Sequence, residues 1–313
     1  MAIAVFPREA FAWTPATHIF LGESVLSNLE QLPTAVAALL RAFPYDFLYG
    51  SIAADTSMAK KYAPVGRHCH SWHVGQEIYD QALSEPLKAF GLGYLAHLAA
   101  DTVAHNYFVP RQLVVTSRTI ALGHSYWESR FETQLGPQYA ATAMDVIRLG
   151  HGPADAHLDQ ILAPTVFSVR TSRRLFRGMV GVTETQSWQR IVRAADKKSR
   201  WNIADDDMER YMGAAFQYVM ELLGVEESPA PRRLDPSGES SLRLAKRMRL
   251  DVVKGIVSPP LSQLAHMADE HFAVPHTPVP YWEISHSHRP WNAGSAEGKT
   301  NGRGRKPDKR SAG

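Results

Sequence analysis

The chain of 313 residues is 44% apolar and 21% charged, ordinary proportions for a folded globular protein, which excludes a disordered or fibrous chain. Its 34 basic and 31 acidic side chains leave a formal charge of +3, part of it in the C-terminal tail, so the body is nearly neutral and charge gives a nucleic-acid role little support. No stretch approaches the roughly 18 apolar residues of a membrane span, and the single cysteine, Cys69, excludes an internal disulfide and any cysteine-rich zinc or iron–sulfur site.

Residues 1–12 end in Ala-Phe-Ala, the small-x-small pattern that precedes a signal-peptidase cut, but they lack a basic start and carry Pro7, Arg8 and Glu9 where an apolar stretch belongs. They read as the remnant of a signal peptide if the true start lies upstream. The protein is then exported, periplasmic or secreted, with cleavage before Trp13, and is otherwise cytoplasmic. Apolar residues at three-and-four spacing predict helices over 23–30, 34–43 and 71–83. Pro86 opens a longer predicted helix that runs to Phe108, where Pro110 stops it. Further amphipathic stretches cover 125–149, 156–180, 205–223, 240–257 and 261–272, and Leu113 to Thr116 is the best strand candidate. The expectation is an all-α, multi-helix bundle occupying residues 13–284. Residues 226–240, rich in Pro, Ser and Arg, read as a surface loop, and 285–313 as a disordered basic tail with little to bury.

The chemistry is concentrated between residues 18 and 128. In Gly93-Tyr-Leu-Ala-His97-Leu-Ala-Ala-Asp101-Thr-Val-Ala-His105, three metal-competent side chains recur every four residues of a predicted helix and so form a stripe along one face. The stripe is about 12 Å long at about 1.5 Å per residue, whereas zinc–ligand bonds are only about 2.0 to 2.2 Å. Two or more ions strung along the helix, with Asp101 giving an oxygen to each of two neighbours, satisfy that spacing. A solvated polar face is the alternative, but the flanking Leu, Ala, Val and Tyr bury the helix on most sides, and a buried His or Asp without partners is costly. His124 and Glu128 have the i, i+4 spacing that aims two ligands the same way. Asp55 follows an apolar run, and of His68, His70 and His73 at most one or two need be ligands. His18, shortly after Trp13, taken alone fits a capping or core histidine better than a ligand. His266, Asp269, Glu270 and His271 form a weaker second cluster. Neither a Gly-x-Ser-x-Gly elbow nor a Gly-x4-Gly-Lys loop is present.

The order Trp-x4-His, Ala-Ala-Asp, His before an aromatic, His-x3-Asp with a further His, and His-x3-Glu resembles the zinc-dependent phospholipase C family, whose all-helical fold is shared with the S1/P1 nucleases. The resemblance runs from Trp13 to Glu128. It implies two to three Zn2+ ions: Asp55, His70, His97 and Asp101 at the first, His105, His124 and Glu128 at the second, Trp13 and His18 with Asp101 at the third. In the family the third ion uses the free amine of an N-terminal tryptophan, so it depends on cleavage before Trp13. His105 follows Asp101 by four residues where the bacterial phospholipases have six, and His68 and His70 compete for one place, His70 being preferred for the Ser71-Trp72 behind it.

The resemblance also implies catalysis of phosphodiester hydrolysis, with Asp55 and Asp101 as catalytic residues at the attacking water. The family's nucleases carry Asp, and its phospholipases Glu, at the position of Glu128. Phospholipid, met at a membrane surface, is therefore the expected substrate, cut to diacylglycerol and a phosphorylated headgroup. Nucleic acid is less favoured, although an S1/P1-like single-strand nuclease and a non-catalytic zinc-stabilised helical protein are the alternatives. The basic runs 170–177 and 190–200 read as solvated faces or as a surface for anionic headgroups. No protein partner is inferable.

Overall fold

The structure is a computed structural model that describes residues 13–58, 60–119, 123–183, 201–224, 229–257 and 259–292. Among the described residues there is no strand, and the fold class is all-α as expected. Among the described residues the helices of seven residues or more are α1 (Pro15–Leu26), α2 (Thr34–Ala42), α3 (Pro44–Ala53), α4 (Trp72–Asp80), α5 (Glu85–Val103), α6 (Val109–Val115), α7 (His124–Leu135), α8 (Gln138–Arg148), α9 (Gly152–Ile161), α10 (Val169–Thr183), α11 (Asp205–Leu223), α12 (Glu239–Val253) and α13 (Leu261–Phe272). Five of them, α1, α3, α5, α6 and α9, have a proline in the first turn, where the missing N–H costs nothing. No described helix is long and apolar enough to cross a membrane.

Helix α5 is the axis of the bundle and is buried continuously from Ala89 to Val103, packing against α3, α4 and α11. A helix apolar all round has no solvent face to offer, so its polar residues are forced into the interior with it. Against α3 the contact is backbone to backbone. A Cβ on Gly50 would lie 2.0 Å from the Phe90 carbonyl oxygen, and one on Gly93 would lie 2.1 Å from that of Phe47. Only glycine permits this approach.

Several expected boundaries move. Pro110 does not end the long helix. Residues Ala104–Phe108 form a π-turn, with the Val109 N–H bonded back to the Ala104 carbonyl, and the chain then continues directly into α6, which takes Pro110 in its first turn. The candidate strand 113–116 is the end of that helix. The 125–149 stretch is two helices broken at Gly136, whose φ of +92° suits glycine alone, and 156–180 likewise divides into α9 and α10. Helix α3, unmarked in the sequence pattern, is buried from Phe47 to Ala53 and so carries no polar stripe to betray its period.

The expected disordered tail does not begin at Ser285. Trp291 is buried against Phe20 and Trp282, its indole N–H donates to Glu209 Oε2 at 3.0 Å, and the His286 amide donates to Asn28 Oδ1 at 2.8 Å. One large aromatic anchors a segment whose average composition suggested none. Residues 293–313 and the signal-like segment 1–12 lie outside the described residues, as does 190–200. In the other basic run, Arg173 bonds Asp159 at 2.7 Å, and Arg177 bonds Asp155 at 2.8 Å and the Tyr49 hydroxyl at 3.0 Å. These two arginines are internal ties joining α10 to α9 and α3.

Candidate metal centre

The polar residues that α5 carries inward meet others from four surrounding elements. His18 comes from α1, Asp55 from the 3-10 turn that closes α3, and His70 from the turn ahead of α4. His97 and Asp101 lie on α5, His105 on the π-turn, and His124 and Glu128 on α7. All are buried except His124, whose side chain is 20% exposed.

Asp101 is the hub. Its Oδ1 lies 3.3 Å from His18 Nε2, and its Oδ2 lies 3.0 Å from His70 Nε2 and 3.1 Å from His97 Nε2. The His70 and His97 Nε2 atoms are themselves 3.1 Å apart, and Asp55 Oδ1 is 3.5 Å from His70 Nε2. Two imidazole lone pairs and a carboxylate converging in this way repel one another unless a cation or proton lies among them. Ligand atoms come within 4.8 Å of one another in four groups: His18, Asp55 and His97; His70, His97 and Asp101; His105, His124 and Glu128; and His68, Cys69 and His70. Among the described residues, His18 Nε2, Asp55 Oδ2, both Asp101 oxygens, His124 Nε2 and both Glu128 oxygens are buried without a hydrogen-bond partner. Such atoms are rare in folded proteins, and here they face one another. The donor set, imidazole nitrogen with carboxylate oxygen, suits zinc.

The backbone fixes the tautomers. His97 Nδ1 donates to the Ser51 carbonyl at 2.8 Å, and His105 Nδ1 donates to the Pro236 carbonyl at 2.6 Å, so each ring keeps its Nε2 lone pair for the centre. Pro236 belongs to the stretch expected to be a surface loop; instead it lies against the π-turn. Gly238, at φ +57°, sits where a Cβ would come within 2.4 Å of His105. The π-turn widens the helix at His105, and His105 groups with His124 and Glu128 despite following Asp101 by only four residues.

Electrostatics follow the burial. Burial pushes Asp101 and Asp55 up, but the neighbouring cationic and imidazole groups, His97 and His105 for Asp101 and Lys60 and His97 for Asp55, outweigh it and hold both carboxyls below the usual range. Burial and His97 lower His18 to about 4. Burial, reinforced by Asp55 and Asp101, holds Glu128 well above the usual carboxylate range, while burial, His105 and Lys246 keep His124 well below the imidazole range. Both shifts favour the uncharged forms of Glu128 and His124, although the His124 Nε2 and Glu128 Oε1 atoms lie only 2.5 Å apart.

The three neighbouring histidines separate clearly. His70 faces Asp101 and Asp55. His68 is half-buried and neutral, lowered to about 3 by burial and His70, and its Nδ1 accepts the His70 amide N–H at 3.0 Å. His73 is exposed and bonds the Gly66 carbonyl. Cys69 Sγ contacts His70 Nδ1 at 3.2 Å, on the ring edge opposite Asp101. Trp13 is fully buried and stacks on Phe131, with ring centroids 5.2 Å apart, and its ring lies 6.5 Å from that of His18. The second cluster does not assemble: His266 and Glu270 are exposed, and Asp269 is bonded by Arg111 at 2.6 Å.

Lys60 was not marked by the sequence. Its Nζ lies 2.7 Å from Asp55 Oδ1 and 3.2 Å from His70 Nε2, with the side chain only 14% exposed. No spacing rule singles out one lysine of the Lys60-Lys61 pair. The Ser51 and Pro236 carbonyls were equally invisible, since main-chain acceptors leave no mark on side-chain patterns.

An all-helical bundle with buried imidazoles and carboxylates converging from five elements is a protein equipped to hold divalent metal. Residues 17–160 match the family model of the zinc dependent phospholipases C, a span that includes every expected ligand except Trp13. The resemblance read from the ligand order is thereby shown for the segment that carries the site. No curated protein and no solved structure matches the chain.

Proposed function

We propose that the protein is a zinc-dependent phosphodiesterase that hydrolyses the glycerol-side phosphodiester of a phospholipid to diacylglycerol and a phosphorylated headgroup. The observation that carries this reading is the set of buried, mutually facing and unpartnered ligand atoms on His18, Asp55, Asp101, His124 and Glu128, within a segment matched by the zinc-dependent phospholipase C family.

In this reading Asp55, His70, His97 and Asp101 hold one zinc ion and His105, His124 and Glu128 a second. His18, with Asp101 and a Trp13 freed by cleavage, holds the third. Bound zinc supplies charge for the non-bridging phosphate oxygens and lowers the pKa of a water. In the same reading Asp55 accepts a proton through Oδ2, an atom without a hydrogen-bond partner, and Asp101 serves both the first and the third ion. Glu128, the consumption of Arg173 and Arg177 in internal ion pairs, and the nearly neutral body support lipid over nucleic acid.

The test is zinc analysis and N-terminal sequencing of the purified protein, followed by turnover of phosphatidylcholine vesicles and single-stranded nucleic acid with and without chelator. Two to three zinc ions and chelator-sensitive release of diacylglycerol are expected. Nuclease activity with silent lipid turnover moves the protein to the nuclease branch. Bound zinc with neither activity makes it a structural metal protein, and less than one zinc per chain refutes the reading altogether.

A further inference from the structure

We propose that the outer face of α12 and the turn that follows it, from Lys246 to Val257 together with Leu261, is a docking surface for a lipid layer bearing anionic headgroups. The inference rests on the phospholipid reading above for its purpose, but its observations are independent of the metal centre.

Helix α12 is bolted to the body by one side only. Ala245 is buried, Leu242, Leu244 and Met248 pack against the core, and Arg249 donates to the Thr119 carbonyl at 2.8 Å. On the opposite side, Lys246, Leu250 and Val253 follow one another at three-and-four spacing, with Arg247 and Lys254 beside them, and Ile256 and Val257 lie in the turn that follows the helix. Leu250 is 50% exposed, Val253 43%, Ile256 67%, Val257 40% and Leu261 51%. Single exposed aliphatic side chains need no explanation, but these five lie within twelve residues of chain around the turn between α12 and α13. The turn is held from below, since Arg118 donates to the Pro259 carbonyl at 2.7 Å.

Charge decides what covers this patch. The exposed ionisable residues from Lys246 onward are Lys246, Arg247 and Lys254 against Asp251 alone, while the one cation before them, Arg243, is engaged by Glu239. Cations bordering aliphatic side chains on one helix face suit a lipid surface: the apolar groups enter the acyl boundary and the long basic side chains extend to the headgroups. A protein groove of ordinary chemistry requires no such cationic border, whereas anionic headgroups do. The surface belongs to the helix that adjoins the site, since Gly238, immediately before α12, packs on His105. The same helix thus closes the metal centre at its N-terminus and presents the lipid-facing turn at its other end.

The test uses the full, zinc-loaded chain and sedimentation with vesicles of phosphatidylcholine, alone or with phosphatidylglycerol. Lys254→Glu removes an attraction of about 1 kcal/mol and adds a similar repulsion, so partitioning onto the anionic vesicles falls by at least about tenfold. Ile256→Asp should lose binding comparably, and Ile256→Trp should blue-shift its fluorescence on anionic vesicles. Both substituted residues are exposed and remote from the ligands, so hydrolysis of monomeric short-chain phosphatidylcholine should be unchanged. Equal wild-type binding to the two vesicle types, or wild-type partitioning by both charged variants, overturns the proposal. Anionic-dependent binding that the variants lose, with no turnover of monomeric lipid, supports the surface while removing the phospholipase reading.

Discussion

Lys60→Met should have opposite effects on the metal-free and the zinc-loaded protein. The Lys60 ammonium stands 2.7 Å from Asp55 Oδ1 and 3.2 Å from His70 Nε2, on two residues assigned above to zinc. An ammonium bonded to Asp55 Oδ1 and standing beside His70 Nε2 occupies the space and the carboxylate oxygen that zinc would need. Deprotonation gives no easy escape: burial favours the neutral amine, but Asp55 and Cys69 outweigh it and keep Lys60 charged. Zinc must therefore displace an intact ion pair. Removing one partner of such a pair costs about 3 to 5 kcal/mol, and the 14% exposure of Lys60 argues for the lower figure. The metal-free variant should melt several degrees lower, since about 1 kcal/mol corresponds to roughly 2 to 4 °C in a protein of somewhat smaller size. The same term, no longer opposing zinc, is worth up to about a hundredfold in affinity at the first site, at about 1.4 kcal/mol per tenfold. Melting curves in chelator and zinc titrations against a competing chelator measure both effects. If affinity and metal-free melting are both unchanged, Lys60 does not occupy the ligand shell and the reasoning fails.

Asp101→Ala should abolish zinc retention and turnover together, because Asp101 alone meets His18, His70 and His97; His68→Ala, removing only an acceptor for a backbone amide, should leave most of both. Equal losses in zinc analysis and activity would mean that the ligand of that cluster is misassigned. Glu128→Gln should stabilise the metal-free protein and weaken its zinc binding. Burial raises the Glu128 carboxyl, so its stabilising protonated form is complete below the ordinary carboxylate pKa of 4.5 and is lost as pH rises through the raised value. In chelator, wild-type melting should fall relative to the Gln variant over that interval, and parallel curves would contradict the assignment. Gly93→Ala places a Cβ 2.1 Å from the Phe47 carbonyl oxygen and should destabilise the fold by at least about 1 to 3 kcal/mol, read from denaturant unfolding; a neutral result would mean that α3 and α5 separate easily.

The helical class and the metal-bearing stretch were legible because α5 combines an apolar surface with His97 and Asp101 at helical spacing, an unusual arrangement that only a buried polar function explains. The place of His70 rather than His68 rested on Trp72 behind it, and the structure points the two rings differently. Helix α3 was illegible for the opposite reason: buried from Phe47 to Ala53, it has no amphipathic contrast. The π-turn leaves no sequence mark, and Pro110 argued for a helix end that the extra residue of that turn avoids. The segment through Trp291 was misread because composition averages over a window, whereas a single tryptophan filling a niche beside Phe20 fixes the chain.

The crossing of α3 and α5 at Gly50 and Gly93 bears on the metal centre. These helices lead to Asp55 on one side and carry His97 and Asp101 on the other, and their separation is set where main chain meets main chain. Side-chain packing can relax by changing rotamers; a carbonyl lodged against a glycine Cα has no such freedom. The separation of α3 and α5 is thus gauged by the excluded volume of the peptide backbone. Calcium takes six or more oxygens at about 2.3 to 2.6 Å, which this imidazole-rich set does not offer, whereas zinc accepts imidazole nitrogen and carboxylate oxygen at about 2.0 to 2.2 Å. Two residues with no side chain thus set the spacing of the backbones that bring Asp55, His97 and Asp101 together.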